Sequence, residues 1–317
     1  MLATSIPGHQ TCSFFCDQAV YNEWKAFESP LIYTPGDNEW TDCHKSNEGS
    51  QDPLVNLGYV RKIFFANPGH AVAVPKPVSS QAACYDPTYP SDAEFAENVM
   101  WEQVGVVFVA VSIPGGSNND EDNWYKKDRT DPQTEEVLKR TGTAQRWRDK
   151  GFEFASAHHD RAIVLMLQAD MCDLDGTDQK DQHIANYRQY IDNIALHTAQ
   201  FGKPVLLITG DSHVYRSDNP LKKGSACFIE PSPGLAAVPC ADGIMPGGNP
   251  DDHYLTQPHG YNLPNFHRIV VHGSKAPMEW LKLKVKSGES AGSTGPNAFG
   301  PFSWQRMIQQ NLPPQQP

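Results

Sequence analysis

Residues 206–215, LLITGDSHVY, decide how the rest of the chain is read. The apolar run at 204–209 has the length and composition of a buried β-strand, and it stops abruptly at Gly210. Asp211, Ser212 and His213 then follow on what has to be a tight loop. Open α/β sheets build their sites this way, with a buried strand delivering polar side chains to its carboxyl end. Glycine permits the turn, and a carboxylate and an imidazole two residues apart both reach one metal ion or one substrate oxygen. The plain alternative is a polar turn closed by an Asx-type bond from Asp211.

A second segment of this kind stands early in the chain. Residues 31–34 form a compact β-prone run broken by Pro35-Gly36, and Asp37-Asn38-Glu39-Trp40-Thr41-Asp42-Cys43-His44 follows, the densest group of potential ligands in the sequence. Two more apolar runs, 104–113 and 162–167, read as buried strands. The first ends at Pro114-Gly115-Gly116-Ser117-Asn118-Asn119, where Asn118 or Asn119 either donates to a substrate oxygen or belongs to a simple turn. The second ends at Gln168-Ala169-Asp170. The carboxyl ends of all four runs are expected to converge.

Around these runs, helices are expected at 19–27, 53–65, 134–158 (with a break near Gly142) and 183–201. The one at 53–65 is marked by Leu54, Leu57, Val60, Ile63 and Phe64 at spacings of three and four. Proline-rich residues 67–92 read as a surface loop, and 227–230 as a short strand. Residues 268–271 and 280–285 read as an antiparallel pair. The acidic stretch with Asp173, Asp175 and Asp178 lacks the glutamate and spacing of an EF-hand and reads as solvated. With no internal repeat or linker, one domain is expected over 1–286, followed by a partly disordered tail at 287–317.

The 317 residues include 24 glycines and 26 prolines, so a globular chain rich in loops is expected. The net charge of −11, with no run of lysine or arginine, argues against nucleic acid or an anionic membrane as partner. No stretch approaches the roughly 20 apolar residues of a membrane span, and the first residues lack the form of a signal peptide. Of the seven cysteines, either Cys12 or Cys16 is a candidate to bridge Cys43, and Cys227 to bridge Cys240. Cysteines in polar or loop-like sequence favour an oxidising, secreted or extracytoplasmic setting.

The motifs PGDNEWTDCH and GDSH, with the order of strand ends between them, resemble the calcineurin-like metallophosphoesterases over most of residues 28–286. The resemblance implies an αββα sandwich of two mixed β-sheets, within the α/β (α+β) class. It also implies a small phosphate-ester substrate and two divalent ions (manganese, iron or zinc) that activate a water for in-line attack. By position in the motifs, Asn38, Gln168, Asp211 and His213 match metal ligands. Glu39 stands where the family has the histidine that contacts the leaving group, and His44 is a substitute for that role. The family's first two motifs, which carry the bridging aspartate, have no counterpart in residues 1–30, where Asp17 is the one aspartate. The chain therefore reads as N-terminally incomplete, with one metal ion rather than two. The alternatives are a ligand-binding module of the same fold without catalysis, and an ester hydrolase with Ser212 as nucleophile.

Overall fold

The computed structural model describes residues 12–119, 123–124, 128–172, 180–222, 224–240, 261–273, 278–287 and 293–308. The helices in chain order are α1 (Phe14–Trp24), α2 (Pro53–Phe64), α3 (Gln81–Cys84), α4 (Gly115–Asn119), α5 (Asp131–Ala157) and α6 (Lys180–Phe201). The first strands are β1 (Pro30–Leu31), β2 (Val72–Ala73), β3 (Ser79–Ser80), β4 (Val99–Gln103), β5 (Val106–Ala110), β6 (Ala162–Met166), β7 (Val205–Thr209) and β8 (Arg216–Asp218). They are followed by β9 (Phe228–Ile229), β10 (Val238–Pro239), β11 (Phe266–Val270), β12 (Glu279–Val285), β13 (Ser293–Gly295), β14 (Ala298–Gly300) and β15 (Phe302–Ile308). The class is mixed α/β.

Nine strands make the main sheet, in the order β10-β9-β8-β11-β7-β6-β5-β4-β3. Its centre, β5-β6-β7-β11, is parallel, and the strands on either side run antiparallel. The alternation of side chains along a strand separates two cores. Val107, Val109, Ile163, Leu165, Val205 and Leu207 face Trp147 and Phe152 of α5 and Tyr187, Tyr190 and Ile194 of α6. Their neighbours Val106, Ala162, Val164, Leu206 and Ile208 face Phe299, Phe302 and Trp304 of a second, four-stranded sheet, ordered β12-β15-β14-β13. Burial on both faces explains why these central strands read as continuous apolar runs. Helices α1 and α2 pack on each other through a separate aromatic cluster of Trp24, Tyr33 and Phe64.

Several expectations are corrected. Residues 268–271 and 280–285 do not pair: β11 lies between β7 and β8 in the main sheet, and β12 pairs with β15 in the second. The tail does not begin at 287, since 293–308 supply three strands. Its few apolar residues, Phe299, Phe302 and Trp304, are all buried against the main sheet. At about 1.5–3 kcal/mol for each large apolar side chain taken out of water, three suffice to order a short segment that composition reads as polar. The Pro/Gln run at the end and Asp173, Asp175 and Asp178 lie outside the described residues.

Only Pro30–Leu31 of the early run pairs, with β2. Residues 32–34 pass the end of β5, where the Thr34 hydroxyl donates to the Val111 carbonyl at 3.2 Å. Val104 and Gly105 form the turn of the β4–β5 hairpin at φ 54° and 67°, so the strand begins later than its apolar run. Helix α5 is continuous through Gly142, and α1 starts at Phe14, capped by the Ser13 hydroxyl, rather than at 19. The stretch 67–92 holds β2, β3 and α3. Among the described residues no helix is long and apolar enough to cross a membrane.

The interface between the sheets carries a titratable group. His267 of β11 packs against Phe299 and Trp304, with ring centroids 5.2 and 5.3 Å away, and its Nε2 lies 3.0 Å from the Ser217 hydroxyl. Burial, helped by the Arg268 charge, pushes its pKa down to about 3. The folded protein thus refuses a proton that the unfolded chain takes near its ordinary value of about 6.5. The contribution is intact above that pH and is lost as pH falls from there toward 3, by up to about 1.4 kcal/mol per pH unit. Urea unfolding at pH 7, 6, 5 and 4 is expected to show a steeper loss for the native chain than for His267→Gln. Equal slopes would exclude His267 as the cause.

Candidate functional site

The ends of the parallel strands do come together, and the residue at the centre of the contact is Gln168. Its side-chain amide follows β6 and donates at 2.9 Å to Asp37 Oδ1 and at 2.9 Å to Asp211 Oδ1. Its carbonyl oxygen accepts the N–H of Gly115, beyond the end of β5. One glutamine therefore joins three strand ends and the early loop. The loop before Gly115 is anchored from α6, whose Tyr187 hydroxyl donates to the Pro114 carbonyl at 2.8 Å.

Two glycines make the approach possible. A Cβ on Gly115 would collide with the Asp211 carboxylate. A Cβ on Gly36 would lie 2.9 Å from both Gln168 Cγ and Glu39 Oε2. Asp211 and His213 have φ of 71° and 61°, the left-handed region that non-glycine side chains seldom occupy. Strained backbone of this kind gathers where a site holds side chains in a set direction. Gly115→Ala is expected to drive Asp211 off Gln168 and to weaken divalent-cation binding at least about tenfold, since even small misplacement of ligands is costly. Far-UV circular dichroism should stay native, and unchanged manganese affinity by calorimetry would refute the arrangement.

The electrostatics are those of crowded carboxylates. Burial first, and then Asp42, push the Asp37 carboxyl up to about 6. Burial and the Asp37 charge hold Asp211 well above the usual carboxylate range. The two carboxylates meet at one nitrogen, Gln168 Nε2, at 2.9 Å each, so charge on one opposes charge on the other. Burial pushes Glu39 up to about 8, against the N–H of Gly36, which donates to its Oε2 at 2.7 Å.

The disulfide Cys12–Cys43 fastens the loop from behind, with the Cα atoms 5.5 Å apart. Cys12 Sγ lies 3.5 Å from the Asn38 carbonyl, and Cys43 Sγ 3.5 Å from that of Glu39. Closing a separation of 31 residues contributes on the order of 3–4 kcal/mol in the loop-entropy model. Cys16 is thereby left as a thiol, and Cys227–Cys240 is the second disulfide.

The remaining expected site residues are placed less favourably. Asn38 is exposed, and its N–H donates to Asp37 Oδ1 at 2.9 Å. His44 Nδ1 lies 2.7 Å from the Thr41 carbonyl, so this edge of the ring serves its own 3₁₀ turn. Asn118 does not present its amide to a substrate. It is buried, its Oδ1 accepts from Arg140 at 2.5 Å and from the Tyr190 hydroxyl at 3.2 Å, and its Nδ2 lies 3.5 Å from Thr141 Oγ1. It clamps α4 to α5 and α6. The Asn119 side chain lies outside the described residues.

Asp37, Asp211 and His213 do not form a trio with ligand atoms all within 4.8 Å of one another. Among the described residues one trio of histidine, cysteine or acidic side chains has ligand atoms all within 4.8 Å, and it is Glu230, His272 and Glu279. That trio is already neutralised. Arg306 pairs with both glutamates, His272 Nδ1 lies 2.6 Å from Glu230 Oε1, and the Tyr215 N–H donates to the same oxygen at 2.7 Å. The guanidinium stands where a cation would, and it ties β15 to β12 and to the loop after β9.

Sequence reading passed over Asp37, although it stands next to Asn38 in the quoted motif. The available signal was position, because a residue directly after Pro35-Gly36 faces the strand ends while the next one turns outward. Comparison with known proteins finds no family model that matches the chain, and no match among curated proteins or solved structures.

Proposed function

We propose that the chain is a metal-dependent phosphoric-ester hydrolase of the calcineurin-like metallophosphoesterase kind. The observation that carries this reading is the pair of half-buried carboxylates, Asp37 and Asp211, held 2.9 Å from one nitrogen of Gln168 and both pushed up in pKa. A divalent cation between the two carboxylates would offset the repulsion that burial makes costly. Support for the finer αββα architecture comes from the packing of the mixed main sheet on the second, antiparallel sheet and from α5 and α6 on the outer face of the larger one.

The donors fit a hard ion. Asp37 and Asp211 offer carboxylate oxygens, donors suited to manganese or magnesium rather than zinc, while Gln168 holds them through its amide N–H groups. When bound, such an ion supplies Lewis acidity to a phosphoryl oxygen and to water. The protein residues provide position. Gly115 and Gly36 leave room for the carboxylates, Gln168 sets their spacing, and Glu39 holds the loop turn through the Gly36 N–H.

Ser212 is not set up as a nucleophile. Its hydroxyl donates at 2.9 Å to Asp170, a carboxylate already paired with Arg268, instead of to an imidazole. The non-catalytic module remains the second reading, favoured because His213 forms no close trio with the pair. The deciding experiment is a manganese titration of chelator-treated protein by calorimetry, together with hydrolysis of aryl phosphate mono- and diesters. Manganese-dependent turnover is expected. Cation binding without turnover selects the binding module, and neither one sinks the hydrolytic reading.

A further inference from the structure

Arg140 of α5 is 1% exposed, and its guanidinium reaches two of the loops that flank the carboxylate pair. Nη1 donates to Asn118 Oδ1 at 2.5 Å, and Nη2 donates to the Asn118 carbonyl at 2.9 Å. Glu136, one helical turn back, accepts from Nε at 2.7 Å and from Nη2 at 3.1 Å and supplies the counter-charge. Cζ stands over the Trp40 ring, 5.7 Å from its centroid, within the range of cation–π attraction.

Asn118 and Trp40 belong to different loops. Asn118 is in α4, whose first residue, Gly115, donates its N–H to Gln168 and leaves room for the Asp211 carboxylate. Asn118 has φ 64°, and a non-glycine residue stays in the left-handed region only where its surroundings over-determine it. Arg140 holds both its carbonyl and its side chain, and the Tyr190 hydroxyl adds a bond at 3.2 Å. Trp40 is fully buried and packs with Leu57 and Trp124. Its N–H donates to the Asp37 carbonyl at 3.1 Å, and the Asp42 N–H to the same oxygen at 2.9 Å. The seat of the indole ring therefore sets the turn in which Asp37 stands.

We propose that Arg140 is a positioning residue of the strand-end site, one guanidinium that registers α4 against the Asp37 loop and so fixes the approach of Asp211 to Asp37. It acts through Asn118 and Trp40, since its four hydrogen bonds go to Asn118 and Glu136 and none to either carboxylate of the pair. Lysine does not replace it, because the planar fork alone bonds Asn118 and Glu136 at once while its charge lies over the indole. The inference rests on the strand-end pair as a cation site.

The test compares the native chain with Arg140→Lys, Arg140→Met and, as control, Arg146→Met, at a temperature where far-UV circular dichroism shows each of them folded. Arg146 stands on the same helix, pairs with buried Asp92 and touches neither loop. Manganese calorimetry should show affinity about 10- to 100-fold lower in both Arg140 variants, the usual cost of losing a partner that orients metal ligands. Arg146→Met should stay within about twofold of native. Hydrogen exchange of chelator-treated protein, read by mass spectrometry, should be faster at residues 36–43 and 115–119 together in the Arg140 variants and native there in Arg146→Met. Exchange needs no cation, so if the native chain takes up no manganese, the hydrolytic reading fails and exchange alone decides the role of Arg140. The proposal is overturned if Arg140→Lys keeps native manganese affinity or native exchange in either loop. It is equally overturned if Arg146→Met, at a similar loss of stability in urea, matches Arg140→Lys in both measurements.

Discussion

Asp211→Asn should abolish manganese binding at the strand ends and lower phosphate-ester turnover at least about a thousandfold, roughly 4 kcal/mol of barrier, while the cation-free protein becomes more stable. The two effects have one cause. In the native chain Asp37 and Asp211 meet at the Gln168 amide nitrogen, and both titrate above the ordinary carboxylate range, Asp37 at about 6. A folded-state pKa raised above the unfolded value gives stability that is complete below about pH 4 and lost as pH rises through the folded pKa. At pH 7.5 the cation-free pair therefore opposes folding. Asparagine keeps the shape, accepts from Gln168 and donates to Asp37, so the repulsion disappears together with the cation's second charged ligand. Urea unfolding of chelator-treated protein at pH 5 and 7.5 should show a fall in stability for the native chain that Asp211→Asn lacks, by on the order of 1 kcal/mol or more. His213→Ala is the contrast. The imidazole forms no close trio with the pair, so manganese affinity should change by less than about threefold. Loss of binding in His213→Ala with retention in Asp211→Asn would reverse the assignment.

How far the sequence could be read follows from the range over which each feature is determined. The central strands β5, β6 and β7 were legible because burial on both faces writes itself as an unbroken apolar run. Helix α2 was legible from period, and its Asp52 cap with Pro53 at the first helical position is equally local. The pairing of β11 was not, because a strand edge carries no label for its partner, and Phe266–Val270 serves β7 on one side and β8 on the other. Nor was the second sheet, whose strand β12 alternates half-buried and exposed residues and whose partner β15 lies in a segment that composition reads as tail.

The same division holds within the site. Gln168 and Asp211 were legible as polar residues just past apolar runs. That Asp37 instead of Asn38 turns inward depends on the bond from the Asn38 N–H to Asp37 Oδ1 and on the reach of Gln168 from 131 residues away. Asn118 was misread because a Gly/Asn-rich strand end looks the same whether its amide faces a substrate or a buried arginine. Arg140, 22 residues further on, decides the matter, and its burial on α5 leaves no local trace in the sequence.

Arg268→Met should cost about 3–5 kcal/mol of stability and disturb the 210–213 loop, although Arg268 touches no residue of the carboxylate pair directly. Its guanidinium is 1% exposed and lies between two carboxylates that are themselves 1% and 2% exposed, Asp170 after β6 and Asp218 of β8. Nε and Nη2 donate to the two oxygens of Asp218 at 3.1 Å each, and Nη1 donates to Asp170. Methionine fills much of the volume, so the loss is electrostatic: two buried carboxylates lose the guanidinium that joins them. Asp170 also accepts the Ser212 hydroxyl at 2.9 Å, next to Asp211, so its protonation or displacement reaches the site loop. Much of the cost belongs to the stranded partners and not to the ion pairs themselves, and a compensated variant separates the two. Asp170→Asn and Asp218→Asn added to Arg268→Met should recover at least half of the lost stability, because a neutral buried network is far cheaper than an uncompensated charge. Urea denaturation at pH 7.5 measures both steps. A loss below about 1 kcal/mol in the single variant, or no recovery in the triple, would mean that water reaches Asp170 and Asp218 and that Arg268 is not what holds the β6, β8 and β11 ends beneath the site.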